Sequence, residues 1–211
     1  MKPEDFESPF LSRASIKKEV EKFVNKFGGG WEYPLDVELL AEDIGLRLKL
    51  LPDIEQRYNQ LAMLTGDLKF IQIEESLFLN DRYVNRYRFS IAHELGHWYL
   101  HSNLFNKAEY RNASEWAEFL CAIPNDEKRY LEIHANGFAS ELLVPTDLLI
   151  PKVREQTENI KAYIKLLPDA DATDTIDYIA PRIALEFGVS EQTMINRIKN
   201  EEIIEKYIDL D

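Results

Sequence analysis

Residues 93–97 read His-Glu-Leu-Gly-His, and this spacing lets one helix offer two ligands and a base to a single ion. On an α-helix His93 and His97 lie one turn apart and about 40° round the axis, so both imidazoles can reach the same metal. Glu94 follows His93 by about 100°, which places its carboxylate beside such an ion. Neutral imidazole suits a borderline-soft dication such as Zn2+, and a catalytic zinc site keeps three protein ligands and one position open to solvent. Zinc acidifies a water, and a carboxylate takes its proton as it attacks a carbonyl. This is the H-E-x-x-H chemistry of zinc peptidases. His93 and His97 are therefore candidate ligands, and Glu94 is the candidate general base. The plainer reading is an amphipathic core helix with two hydrogen-bonded histidines. Against it, the chain has four histidines and three of them, His93, His97 and His101, fall on this stretch. His101 lies about 12 Å along an unbroken helix from His93 and cannot share its ion. It is expected either to contact a ligand or, as the preferred reading, to face the C-terminal dipole.

A second helix must supply the third ligand. After Pro124, Leu131, His134, Phe138 and Leu142 recur at 3–4 spacing with Ala135 and Ala139 beside them, so His134 faces inward. Ala135, Gly137, Ala139 and Ser140 are small enough to permit close approach to Gly96. His134 is thus expected to complete a His-His-His set. Glu132, about 160° round the helix from His134, and Glu141 remain as alternatives.

The run from Arg88 to His97 (Arg-Phe-Ser-Ile-Ala-His-Glu-Leu-Gly-His), with Leu100-His101 after it, resembles the signature of the ImmA/IrrE metallopeptidases. So does Ala-Asn-Gly-Phe-Ala-Ser-Glu-Leu-Leu-Val-Pro at 135–145. The resemblance extends over about residues 16–204. It implies a zincin-like fold and a cytoplasmic endopeptidase with one Zn2+ per chain. It further implies a helix-turn-helix repressor as the substrate. The family's glutamate ligand immediately precedes the Ala-Asn pair, and His134 holds that position here.

Bulk composition bounds the partners. Twenty-five basic and 38 acidic residues give a net charge of −13, which repels phosphate backbones and attracts a basic protein partner. Direct nucleic-acid and membrane binding are not expected: no apolar run is long enough to span a bilayer, and the acidic start of the chain does not resemble a signal peptide. Cys121, the sole cysteine, excludes an internal disulfide and reads as a small buried hydrophobe. Oligomeric state is not legible.

The elements that must position these groups follow from periodicity. Ile16, Val20, Phe23, Val24 and Phe27 make an amphipathic helix ended by Gly28-Gly29-Gly30, and Asp36 caps a shorter helix that stops at Gly45. Leu46, Leu48 and Leu50 alternate as a strand. Apolar runs at 61–64 and 68–73 flank a Thr-Gly-Asp hairpin turn, and residues 77–79 look like a further strand. Asn80 or Asp81 caps the metal-binding helix. The fold class is α+β: a small antiparallel sheet packed on the H-E-x-x-H helix and a second ligand helix, with an exposed edge able to accept an extended peptide. Residues 1–150 are expected to form the peptidase domain and 151–211 a helical segment packed on it. In that segment, helix, Gly188-Val189-Ser190 and helix follow one another as in a helix-turn-helix, but residues 176–211 hold four basic and eight acidic side chains, a poor match to DNA.

The sequence thus points to a zinc metalloendopeptidase acting on a regulatory protein. The competing reading is an antirepressor that binds such a protein without cutting it. Tyr110, Tyr130 and the arginines are candidates for stabilising the oxyanion.

Overall fold

The computed structural model describes residues 1–28, 32–110, 113–167 and 173–209. The elements run α1 (Arg13–Phe27), α2 (Val37–Asp43), β1 (Arg47–Leu51), α3 (Ile54–Tyr58), β2 (Ala62–Leu64), β3 (Phe70–Glu74), α4 (Glu75–Phe78), α5 (Val84–Phe105), α6 (Ala113–Ala122), α7 (Asn125–Leu143), α8 (Thr146–Arg154), α9 (Thr157–Leu166), α10 (Ile176–Phe187), α11 (Glu191–Glu201) and α12 (Ile203–Tyr207). The architecture is α+β and helix-rich. The chain divides into two units, Met1–Trp31 with Asp36–Ala139, and Glu32–Leu35 with Ser140–Asp211. The division falls within α7 at Ser140.

In the first unit, the sheet has the order β1-β3-β2. It is mixed, not antiparallel as expected: β1 pairs parallel with β3, and β2 pairs antiparallel with it. The expected hairpin between β2 and β3 is present, and its turn is held by Leu68 N–H to Thr65 O at 2.8 Å. Residues 75–78, expected to lead into a strand, form the short helix α4. The Glu74 side chain accepts from Ser76 N–H and starts a helical turn there. Two caps form as read: Ser12 accepts from Ser15 N–H at α1, and Asp36 from Glu38 and Leu39 N–H at α2. The residues expected to end α1 include Gly29 and Gly30, which lie outside the described residues.

The apolar stripes meet as their spacing requires. Ile91 and Leu95 of α5, Phe23 of α1 and Ala135 and Phe138 of α7 are fully buried, each large side chain contributing roughly 1.5–3 kcal/mol. Phe23 meets Phe138 edge-on at 5.3 Å between centroids. A Cβ on Gly96 would lie 3.1 Å from Ala135 Cα, Ala135 O and Phe138 Cβ, so α5 and α7 touch where small residues allow it. Cys121 is exposed, not buried; it lies near the end of α6, past the buried Ala117 and Phe119.

In the second unit, α10 ends at Gly188 (φ 60°), a left-handed position that glycine tolerates, and Ser190 caps α11. Met194 and Ile198 of α11 are buried, as are Ile179 and Ile183 of α10. Arg197 is buried beside Glu141 and also donates to Val144 O and Thr146 Oγ1. Glu141, an alternative third ligand by sequence, is thus committed to an ion pair. Of the linker expected around 168–175, residues 168–172 lie outside those described.

Candidate metal centre

The α5 helix carries the sequence-predicted pair. His93 Nε2 and His97 Nε2 lie 3.0 Å apart. Glu132 of α7 adds its carboxylate, Oε2 at 3.3 Å from His93 Nε2 and Oε1 at 3.7 Å from His97 Nε2. Among the described residues these three form a group whose donor atoms all lie within 4.8 Å of one another. Ligand atoms of a tetrahedral zinc site, at about 2.0–2.1 Å from the ion, stand about 3.3 Å apart. The three spacings bracket that value, so the residues present fit a small dication.

His134 lies elsewhere. It is buried, as its periodicity required, but its Nδ1 is 3.4 Å from His101 Nε2 and its Nε2 accepts from Leu11 N–H. The expected His-His-His set is therefore not what the structure brings together. The inward stripe of α7 ends deep in the core. The third member of the group comes from the border of that stripe, where the Glu132 side chain is 40% exposed. His101 is fully buried and its Nδ1 is 3.1 Å from His97 Nδ1. It touches a ligand instead of facing the dipole, since α5 continues one turn beyond it to Phe105.

Two contacts orient the imidazoles. Asn136 Oδ1 lies 3.0 Å from His93 Nδ1, and as an acceptor it keeps the ring proton there, leaving the Nε2 lone pair toward His97 and Glu132. His101 Nδ1 lies against the Nδ1 of His97 and holds that ring in place. Electrostatics agree with a cation site. Burial, then the neighbouring His93, His101 and His134, holds the His97 pKa well below the usual histidine value. Burial and His134 take His101 down to about 3. Burial lowers His93 as well, but the bond and charge of Glu132 and the charge of Glu94 outweigh it and raise the pKa.

Glu94 is buried beside the group. Leu64 N–H of β2 donates to its Oε2 at 2.7 Å. Burial pushes its pKa up to about 7, helped by Glu132 and opposed by His93 and the Leu64 bond. The outward edge of β2 is less open than the sequence suggested. Thr65 N–H and Leu61 O face β3, so the backbones of Ala62 and Leu64 face away from it. Leu64 is already bonded on both sides, since Trp116 Nε1–H donates to its carbonyl at 3.0 Å.

A cavity of about 350 Å³ opens over this centre, lined by Glu55, Gln60, Ala62, Arg86, His93 and Glu132 among others. Of the sequence candidates for the oxyanion, Arg86 lines it. Tyr110 instead packs against Gly66 and Trp116, and Tyr130 is stacked on His134.

Residues 53–199 match the Peptidase_M78 family model, described as an IrrE N-terminal-like domain. The chain belongs to the ImmA/IrrE family. That family is one of metallopeptidases, and the match spans α3 to α11. A comparison with curated proteins finds no match. Among solved structures, a Mycobacterium tuberculosis transcriptional regulator is similar, with a TM-score of 0.51 and 14% identity over 87% of this chain and 55% of that one. This family member thus spans about half the length of that structure, and the likeness is one of fold. Among the described residues no helix is long and apolar enough to cross a membrane.

Proposed function

We propose that the chain is a zinc-dependent endopeptidase in which His93, His97 and Glu132 hold the ion and Glu94 is the general base. The observation that carries this is the convergence of two imidazole nitrogens and a carboxylate at zinc-like spacings under an open cleft. Zinc bound there supplies Lewis acidity, polarising a peptide carbonyl and acidifying a water. Glu94 accepts a proton on Oε1, because Oε2 is occupied by Leu64 N–H. A carboxylate held at that place can take the proton and later release it to the leaving amine. Asn136 and His101 keep the imidazoles aimed. An extended substrate pairs with β2 at the Ala62 backbone, the one outward residue of the strand without a bond from Glu94 or Trp116. The substrate we favour is a basic helix-turn-helix repressor, cut in the cytoplasm; the charge of −13 supports a basic partner.

Metal content and cleavage test the reading together. The parent and a His134→Phe variant should each hold one Zn2+, whereas Glu132→Ala should lose most of its affinity. Glu94→Gln should keep the ion and lose turnover by about 10²–10⁴-fold. A basic repressor incubated with zinc-loaded parent should yield fragments on a gel. A repressor that is bound but left intact would instead favour the antirepressor. Retained metal in Glu132→Ala with loss in His134→Phe would overturn the ligand set.

A further inference from the structure

A second, smaller hollow lies against the metal centre. Its walls are Leu64, Phe105, Trp116, Leu120, Ile123 and Leu131, and Lys128 adds a cationic side chain. The two cavities have Gln60, His97 and Glu132 in common. A peptide lying over the metal ligands therefore passes the mouth of the hollow next to the bond to be cut.

We propose that this recess is the specificity pocket of the enzyme and receives a short aliphatic side chain from the residue flanking the scissile bond. The proposal rests on the peptidase reading above and adds the substrate class. Its volume is about 40 Å³, small beside the 350 Å³ of the cleft, which suits the side chain of valine, leucine or isoleucine better than an aromatic ring. Six of its ten lining residues are apolar, which favours burial of a carbon side chain. Lys128 disfavours lysine and arginine. Trp116 is fixed by its bond to Leu64 O and stacked on Phe119 at 5.8 Å, so the far wall resists widening for a large aromatic ring.

The test uses full-length zinc-loaded chain and the hydroxamates of glycine, alanine, valine, leucine and tryptophan, with binding read by calorimetry. Affinity should rise by roughly tenfold or more from glycine to valine or leucine, as a methylene in an apolar pocket implies, and tryptophan should lose that gain. Leu120→Trp, which fills the recess from a half-exposed position, should flatten the series. Ile123→Ala should move the optimum to a larger side chain. A flat series in the parent, or one that neither variant shifts, overturns the pocket. A mixed peptide digest, with cut bonds located by mass spectrometry against a Glu94→Gln control, separates the two claims. Cut bonds without valine, leucine or isoleucine beside them overturn the pocket and leave the peptidase. Graded hydroxamate binding with no cut bond overturns the peptidase and supports the recess as a binding site.

Discussion

Gly96→Ala probes the point at which the metal centre depends on helix packing. The new Cβ would stand 3.1 Å from Ala135 Cα, Ala135 O and Phe138 Cβ, closer than ordinary van der Waals contact at about 3.5–4.0 Å. Two of these atoms are backbone of a buried helix, so α7 itself must retreat by a few tenths of an ångström. Overpacking of this kind costs about 1–3 kcal/mol, and exchanging glycine for alanine inside a helix returns about 1 kcal/mol. The net is a loss on the order of 1 kcal/mol, or about 2–4 °C in Tm for a chain of this size. The larger effect falls on the ion. Glu132 rides on α7 and the imidazoles on α5, and metal sites tolerate ligand errors of only about 0.2 Å. Zinc affinity should fall by at least tenfold, a size usual for disturbed supporting contacts. Urea unfolding of the metal-free chain and zinc competition against a fluorescent chelator measure the two effects separately. A Gly96→Ala chain as stable as the parent and as tight for zinc would refute the packing argument.

Three further outcomes are expected. In the metal-free chain Glu94 has a pKa raised from 4.5 to about 7, so its contribution to stability is complete below pH 4.5 and is lost as pH rises through 7. Relative to Glu94→Gln the parent should therefore lose up to about 3 kcal/mol across that window, at about 1.4 kcal/mol per pH unit; an equal difference at pH 4 and pH 8 in urea titrations would contradict this. Arg197→Met leaves the buried Glu141 carboxylate without its partner and should cost about 3–5 kcal/mol, while the Arg197→Met, Glu141→Leu double variant should recover much of the loss; a single variant within about 1 kcal/mol of the parent would show the pair to be dispensable. Asn136→Ala should weaken zinc by about 10–100-fold and Asn136→Asp should restore much of it, as read by chelator competition; an unchanged constant for Asn136→Ala would remove the orienting role.

The centre was half legible in the sequence. His93, Glu94 and His97 share one helix, where spacing alone fixes which side chains face together, and the structure brings them together as a helix must. Glu132 stood only as an alternative to His134, because periodicity favours the inward stripe of a helix and Glu132 sits on its margin, beside the open cleft. The bond from Leu64 to Glu94 joins residues 30 positions apart and leaves no local pattern. The sheet shows the same limit. Alternation at 46–50 marks a strand but does not say that it runs parallel to β3, and the apolar residues at 77–79 suit a strand until the Glu74 cap is known.

The doubly bonded Leu64 has a consequence for the molecule as a whole. A three-stranded sheet ends in two unpaired borders, each a template on which stray chains can nucleate fibrils. Here Glu94 and Trp116 occupy the Leu64 backbone on one border, and the strand at the other carries the exposed Arg47. The contacts that hold Glu94 beside the candidate metal group thus also blunt the sheet against self-assembly, so loss of either side chain threatens solubility.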